Sequence, residues 1–335
     1  MLIGKFFKNI NPKYKNHYFS GLSFNSIATK KNNIFFSIKG TNINGNKFIQ
    51  DAIKKGARTI VSNLNFQGLK SKVLYIKTNN SRKILSEVAS KLYQKKPKNL
   101  IAVTGTNGKS SIADFYFQIL KLNNKKVASI GTLGVKTHLN NLIINNTTLD
   151  PISLNQHLEK IKKLNIDNVI LEASSHGLKQ NRLNGMDFKT GIFTNLSRDH
   201  LDYHKSYKDY LKSKLMLFRN LLKKNSNVIT DIDISQYKII KNITKKKQMK
   251  IFTIGSKKSY LELIKHHYKD HKQIFQIKYK NKIYKITVNL IGKVQIKNIL
   301  MAMIAAEKSN IKFKKIVKSI NKIKNANGRF EKIGY

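Results

Sequence analysis

Three short stretches of the 335-residue chain carry side chains whose types and spacing could do chemistry. The first, LIAVTGTNGKSSIADFYFQIL at 100–120, reads as an apolar strand, a glycine-containing turn and an amphipathic helix. That order aims backbone N–H groups and the positive end of a helix at one point, which is what holding a phosphate requires. Its tail Gly108-Lys109-Ser110 matches the end of a phosphate-binding loop, with Lys109 placed for the outer phosphates and the Ser110 hydroxyl for Mg²⁺. The strict loop pattern also asks for glycine at 103, where this chain has Val103. The second stretch, DNVILEASSHG at 167–177, is an apolar run ending in Glu172. The third, TGIFTNLSRDHLDYH at 190–204, buries Ile192 and Phe193 and then delivers Asn195, Asp199, His200, Asp202 and His204. Ligands of open α/β sheets sit at the carboxyl ends of the strands. Glu172 therefore reads as a metal ligand or water-positioning group, and His200 as a ligand or orienting group.

The elements that must position these residues follow from periodicity. NIFFSIKG (33–40) is a short apolar run, and NKFIQDAIKKGA puts Phe48, Ile49, Ala52 and Ile53 on one helical face. RTIVSN (58–63) and KVLYIK (72–77) read as strands and SRKILSEVASKLYQ (81–94) as a helix opened by Ser81. Pro97 within KKPKN (95–99) breaks the pattern and marks a linker. Beyond the motif strands, DYLKSKLMLF reads as an amphipathic helix with Tyr210, Leu211, Leu215 and Phe218 inward. IFQIKYKNKIYKITV (274–288) alternates about Lys280-Asn281 as a hairpin, and NILMAMIAAEKS (298–309) and KFKKIVKSINKI (312–323) read as helices.

The length predicts roughly two domains. A net charge of +48 suggests a nucleic-acid binder, but only six of the 65 basic residues are arginine, the side chain whose fork reads bases and phosphates. The lysines run from Lys5 to Lys332 among Asn and Ile, a mixture A/T-rich codons produce unselected, so they read as solvated faces and nucleic-acid binding as an alternative. Eight of the seventeen acidic residues fall between Asp150 and Asp209, which points to a cation site. Within that set Glu159, Asp167 and Asp209 read as helix caps or lysine partners. The absence of cysteine excludes a disulfide scaffold, a thiolate metal site and a cysteine nucleophile. Neither a signal-peptide run nor eighteen consecutive apolar residues occur, so the expectation is a cytoplasmic protein without membrane insertion.

TGTNGKSS, TTLDP (147–151), EASSHGLKQNRL (172–183), TNLSRDHLDYH (194–204) and NGRFE (327–331), in that order, resemble the Mur ligases over nearly the whole chain. EASSHGL with GTLG (131–134) and DHLDYH is similar to the branch adding the third peptide residue to UDP-MurNAc-L-Ala-D-Glu in peptidoglycan synthesis. The resemblance implies a small N-terminal α/β UDP-MurNAc-binding domain at 1–97. It implies next a P-loop-type α/β ATP-binding domain with a mostly parallel sheet at 98–325, and at 326–335 a hinge to a further amino-acid-binding domain. By resemblance ATP would be held by Thr104, Gly105, Thr106, Asn107, Gly108, Lys109 and Ser110, with Asn298 and Arg329 near the nucleotide. Magnesium would be held by Ser110, Glu172, His200 and Lys214 as a carbamate, and Lys109, Glu172, His200 and Lys214 would be catalytic. Asn146, Thr147, Thr148, Ser174, Gln180 and Arg182 would hold the muramyl-dipeptide, and Phe24, Ser26, Thr41, Asn42 and Ile43 the uridine end.

Two positions depart from the family pattern: Asn25-Ser26-Ile27 stands where Asp-Ser-Arg is usual, and Gln295 where Asn is common. The expectation is an ADP-forming acid–amino-acid ligase, monomeric, present as an N-terminal fragment not competent alone and binding a small UDP-sugar-peptide. The alternatives are an inactive substrate- or nucleotide-binding remnant and a basic P-loop protein that binds nucleic acid.

Overall fold

The computed structural model describes residues 1–40, 43–143, 146–200, 202–269 and 272–326. Contacts divide the chain into two compact units. The first comprises residues 1–94, to which 150–156 and 180–185 are added, and the second holds the remainder.

In the first unit β1 (Gly21–Ser23), β2 (Asn33–Phe36), α1 (Ile49–Lys54), β3 (Thr59–Ser62), β4 (Gly68–Lys70), β5 (Val73–Lys77) and α2 (Ser81–Leu92) follow in order. The sheet runs β1-β2-β3-β5-β4 and is parallel except for the β4–β5 pair. Every residue of β2 and β3 is buried, which is why both read as unbroken apolar runs. Val88 and Leu85 of α2 cover one sheet face with Ile34, Phe36, Val61 and Leu74, while Ala52 of α1 covers the other with Phe35 and Ile60. The run 33–40 leaves the sheet at Phe36, and α2 is capped by Asn80 rather than Ser81: the Asn80 side chain accepts from the Lys83 amide at 3.0 Å. Asn outranks a helix-internal Ser as a cap because its oxygen reaches the third exposed N–H.

The second unit begins with β6 (Asn99–Thr104), α3 (Lys109–Leu122), β7 (Val127–Gly131), β8 (Gly134–Lys136) and β9 (Asn141–Leu142). It continues through α4 (Pro151–Lys163, whose start belongs to the first unit), β10 (Asn168–Glu172), α5 (Ser175–Lys179), β11 (Phe188–Phe193) and α6 (Tyr207–Met216). Then come β12 (Leu222–Asp231), α7 (Tyr237–Lys246), β13 (Lys250–Gly255), β14 (Leu261–Lys269), β15 (Lys272–Tyr279), β16 (Lys282–Val288), α8 (Val294–Glu307) and α9 (Phe313–Ile320).

The eleven strands are ordered β16-β15-β14-β13-β12-β11-β6-β10-β7-β8-β9, parallel from β14 to β7 and antiparallel at both ends. The chain starts in the middle at β6, builds β7 and β10 on one side, then crosses to β11 on the other. The carboxyl end of β6 is thus the switch point, where a doubly wound sheet opens a crevice. One face is covered by α3, α8 and α9, whose Phe115, Ile119, Ile299, Met303 and Ile316 pack with Ile101, Val103, Ile170, Ile192 and Ile229 of the strands. Helix α8 is buried along most of its length, which accounts for its nearly unbroken apolar sequence.

The acidic residues between 150 and 209 do not gather as expected. Asp150 accepts from the Ile152 and Ser153 amides at the start of α4, and Glu159, Asp167 and Asp209 pair with Lys163, Lys162 and Lys179. Among the described residues no three His, Asp or Glu side chains cluster as a metal site. Proximity in sequence does not bring carboxylates together when each sits at the end of a different strand or helix.

The hairpin joining β15 and β16 turns at Lys280 and Asn281, both left-handed at φ 46° and 63°. A two-residue turn with both φ positive suits Asn and Gly and penalises β-branched residues. Asn281→Val is expected to lower stability by about 1–2 kcal/mol while Asn281→Gly is neutral or stabilising. Urea denaturation of both variants checks this, and equal midpoints would show that the turn does not set the register.

Candidate functional site

The site is built where β6 ends. Gly105 has φ 149° and lies so close to the end of β11 that a Cβ there would sit 1.8 Å from the Thr194 hydroxyl, so no side chain fits. The loop is sewn to the segment after β11: the Thr194 and Thr106 amides donate to the Thr104 and Asn195 carbonyls at 2.9 and 3.0 Å. The Asn107 amide donates to Asn195 Oδ1 at 3.0 Å and the Thr194 hydroxyl to the Asn107 carbonyl at 2.6 Å. Gly108, at φ 87°, opens α3, and a Cβ on it would lie 2.5 Å from Asn298 Oδ1. Gln295, buried one turn earlier on α8, fixes that amide by accepting from Asn298 Nδ2 at 2.9 Å.

Two lysines converge on this loop. Lys109 Nζ donates to the carbonyls of Gly105 and Thr106 at 3.0 and 2.7 Å, and Lys214 Nζ to the Gly105 carbonyl at 2.6 Å. Lys214 is 1% exposed on α6, with its amine 4.3 Å from the centre of the Tyr210 ring. Burial, and secondarily the charge of Lys109, push its pKa down to about 6. The side chain expected by resemblance to be a carbamate is thus buried, with its pKa lowered by that burial. Tyr210 OH lies 3.2 Å from the Thr106 hydroxyl, so the same helix braces the loop.

Glu172, at the end of β10, is also buried. It accepts from the Ser110 hydroxyl at 3.0 Å and from the Thr132 amide at 2.8 Å, and Gly131 leaves it room: a Cβ there would fall 2.2 Å from Glu172 Oε1. Desolvation pushes its pKa up, against those hydrogen bonds and the charge of Lys109. Thr148 donates to the Glu172 carbonyl at 2.9 Å and lies 3.0 Å from the Ser174 hydroxyl, and Thr147 lies 3.1 Å from Thr132. Oxygen ligands thus line one rim from Ser110 to Ser174.

His200 sits at φ 50°, exposed, its ring centroid 5.1 Å from that of His176 and 6.1 Å from Tyr210. It is His204 that is buried, with Nε2 3.0 Å from the Ser175 hydroxyl. Asn146 is exposed, and Arg329, Thr41 and Asn42 lie outside the described residues. In the first unit Gln180 Oε1 accepts from Arg182 at 2.8 Å and from Arg82 at 3.2 Å, and Arg82 also donates to the Lys39 carbonyl. Phe24 and Ile43 are exposed, and Ser26 lies in a turn where the Ile27 amide donates to Asn25 Oδ1 at 2.9 Å. Sequence reading missed Thr132, Thr194, Tyr210 and Arg82. A threonine or tyrosine carries no signal of its own until a partner from another strand stands against it.

A glycine loop and helix N-terminus at the switch point of a parallel sheet, backed by a buried carboxylate on the adjoining strand, define a P-loop-type α/β protein. Comparison with known proteins narrows the class. The model of the Mur ligase middle domain matches residues 103–306. The chain is 37% identical over 329 residues to UDP-N-acetylmuramoyl-L-alanyl-D-glutamate–2,6-diaminopimelate ligase of Rickettsia montanensis, covering 97% of this chain and 68% of that protein. A solved structure of a ligase of that name superposes with a TM-score of 0.89 at 26% identity, over 100% of this chain and 69% of that one. MurF ligase of Thermotoga maritima in complex with ADP shares the fold, with a TM-score of 0.62 at 16% identity over 92% of this chain and 67% of that one. The chain belongs to the Mur ligase family.

The state of Lys214 is testable through stability. Its pKa is about 6 when folded and, on the unfolded chain, near the ordinary value of about 10.4. Between those values the unfolded chain binds the extra proton, so stability contributed here rises with pH. In CO₂-free buffer, wild type is expected to gain on Lys214→Met by up to about 1.4 kcal/mol per pH unit between about pH 6.5 and 9. Parallel urea-denaturation curves would show an ordinary ammonium.

Proposed function

We propose that the chain is an ATP-dependent ligase of peptidoglycan synthesis that activates the free carboxylate of UDP-MurNAc-L-Ala-D-Glu. The single observation that carries this is the loop at 104–110 with both Lys109 and Lys214 drawn onto it and Glu172 held against Ser110. The names of the relatives support the substrate and make 2,6-diaminopimelate the amine to test first.

The chemistry needs two anions to approach. Transfer of the terminal phosphoryl group of ATP to the substrate carboxylate forms an acyl phosphate and releases ADP; attack by the amine then forms the amide and releases phosphate. Lys109 would exchange its two loop carbonyls for phosphate oxygens, an exchange that strengthens its contacts because the new partners are charged. Loop amides and the end of α3 add partial positive charge, and Asn298, held by Gln295, lies beside Gly108 for the nucleotide. No side-chain nucleophile is required, because positioning and charge cancellation carry the reaction.

A divalent cation suits this donor set. Ser110 and Glu172 present hard oxygens at hydrogen-bond separation, and burial raises the pKa of Glu172 against the opposing charge of Lys109. Ser110, Glu172 and His200 would hold Mg²⁺, with Lys214 as a carbamate; the ion supplies charge neutralisation between phosphates and carboxylate. Carbamate formation joins the neutral Lys214 amine to CO₂ with loss of one proton, and an amine with a pKa of about 6 is in the required form at pH 7. The domain roles follow the same reading, with the first unit for the UDP-sugar and the second for ATP.

Calorimetry at physiological salt is expected to show Mg-ATP binding that falls at least tenfold in Lys109→Ala, and a ¹³C carbamate resonance from labelled bicarbonate that disappears in Lys214→Ala. Duplex-DNA binding is expected to fade steeply with salt. Salt-resistant DNA binding without nucleotide binding would overturn the assignment, and a carbamate signal persisting in Lys214→Ala would remove that residue from it.

A further inference from the structure

The first unit contains a cavity of about 710 Å³ lined by none of the loop residues 104–110, Glu172, His200 or Lys214. Its floor is Val61, Leu74 and Val88, buried residues of β3, β5 and α2, and its walls are Phe6, Phe7 and Tyr14 from the segment preceding β1. Ile76 completes the wall on β5. None of the uridine-end positions Phe24, Ser26 or Ile43 lines it. The volume lies in the range of small-molecule sites, which run about 300–1,000 Å³.

The rim has a definite charge. Lys8, Lys77 and Lys91 line the cavity against one acid, Glu87, which already pairs with Lys83 at 3.9 Å. Lys77 and Lys91 donate to neutral acceptors, Asn65 Oδ1 at 2.7 Å and the Phe6 carbonyl at 2.9 Å, so their charges are not cancelled by those bonds. The walls offer the rings of Phe6, Phe7 and Tyr14, of which Phe6 already engages Phe19 edge-on at 5.0 Å. Paired rings prefer such edge and offset contacts to a face-to-face sandwich and gain by them beyond the area they bury.

We propose that this cavity is a binding site for a planar aromatic ring system carrying an anionic group, the ring lying between the Phe6–Tyr14 segment and Ile76 and the anion facing the lysines. The inference does not depend on the ligase assignment. A ligand seated there would tie the segment before β1 to β5 and α2, and so stabilise the first unit.

The test uses 2-naphthoate on the whole chain, with 2-naphthalenemethanol as the neutral ring and decanoate as the anionic chain. Calorimetry is expected to show saturable binding of naphthoate, at least tenfold weaker binding of both controls, and no displacement by UDP. Ile76→Trp is expected to abolish binding with an unchanged melting temperature. If that variant melts early, the exposed pair Lys8→Glu/Lys77→Glu decides: naphthoate affinity falls about tenfold and that of the alcohol stays put. Equal binding of the alcohol, tighter binding of decanoate, displacement by UDP, binding retained in a folded Ile76→Trp, or no binding of naphthoate would each overturn the proposal.

Discussion

Gly105 is where the rest of the second unit is decided. Its φ of 149° and the 1.8 Å that a Cβ would leave to the Thr194 hydroxyl mean that β6 and the end of β11 close on a bare backbone. Once the loop is pressed there, its carbonyl is the acceptor that both Lys109 and Lys214 find, while the Thr106 and Asn107 amides are held by Asn195. Strand order supplies the other half of the constraint. Because β6 is flanked by β10 and β11, Glu172 and the Thr194–Asn195 segment arrive on opposite sides of one loop.

Two amines on one carbonyl, in a chain of net charge +48, cannot both stay charged at low cost. Burial lowers the pKa of Lys214, and the charge of Lys109 adds to that shift. The scarce carboxylates are used sparingly elsewhere. Asp114 takes Lys136, Glu307 takes the Tyr260 and Tyr279 hydroxyls, and several acids after Asp150 take a lysine each. Among the described residues Glu172 accepts from the Ser110 and Thr132 hydroxyls and the Thr132 amide.

The two departures from the family pattern have local replacements. Where an Asp-Ser-Arg ion pair is usual, Asn25 accepts from the Ile27 amide and the Ser23 hydroxyl donates to the Asn25 carbonyl, so a turn holds the loop and Ile27 is 84% exposed. Where Asn is common, the longer Gln295 turns its carbonyl onto Asn298 and orients it against Gly108.

The sequence by itself determined the strand–loop–helix of 100–120, the carboxylate-ended strand at Glu172, the hairpin at Lys280-Asn281 and the helices near the end of the described chain. These are legible because each rests on a local period or on a turn that only a few residue types adopt. β1 and β4 were not legible, since three residues carry no period. Nor was the scatter of the acids after Asp150, which depends on strand order rather than spacing. Tertiary structure decided which of many lysines is buried and lowered in pKa: Lys214 has the Tyr210 ring one turn earlier on its own helix, and other elements bring it the Gly105 carbonyl and the Lys109 charge. Residue type is local, but desolvation is the work of everything packed around it.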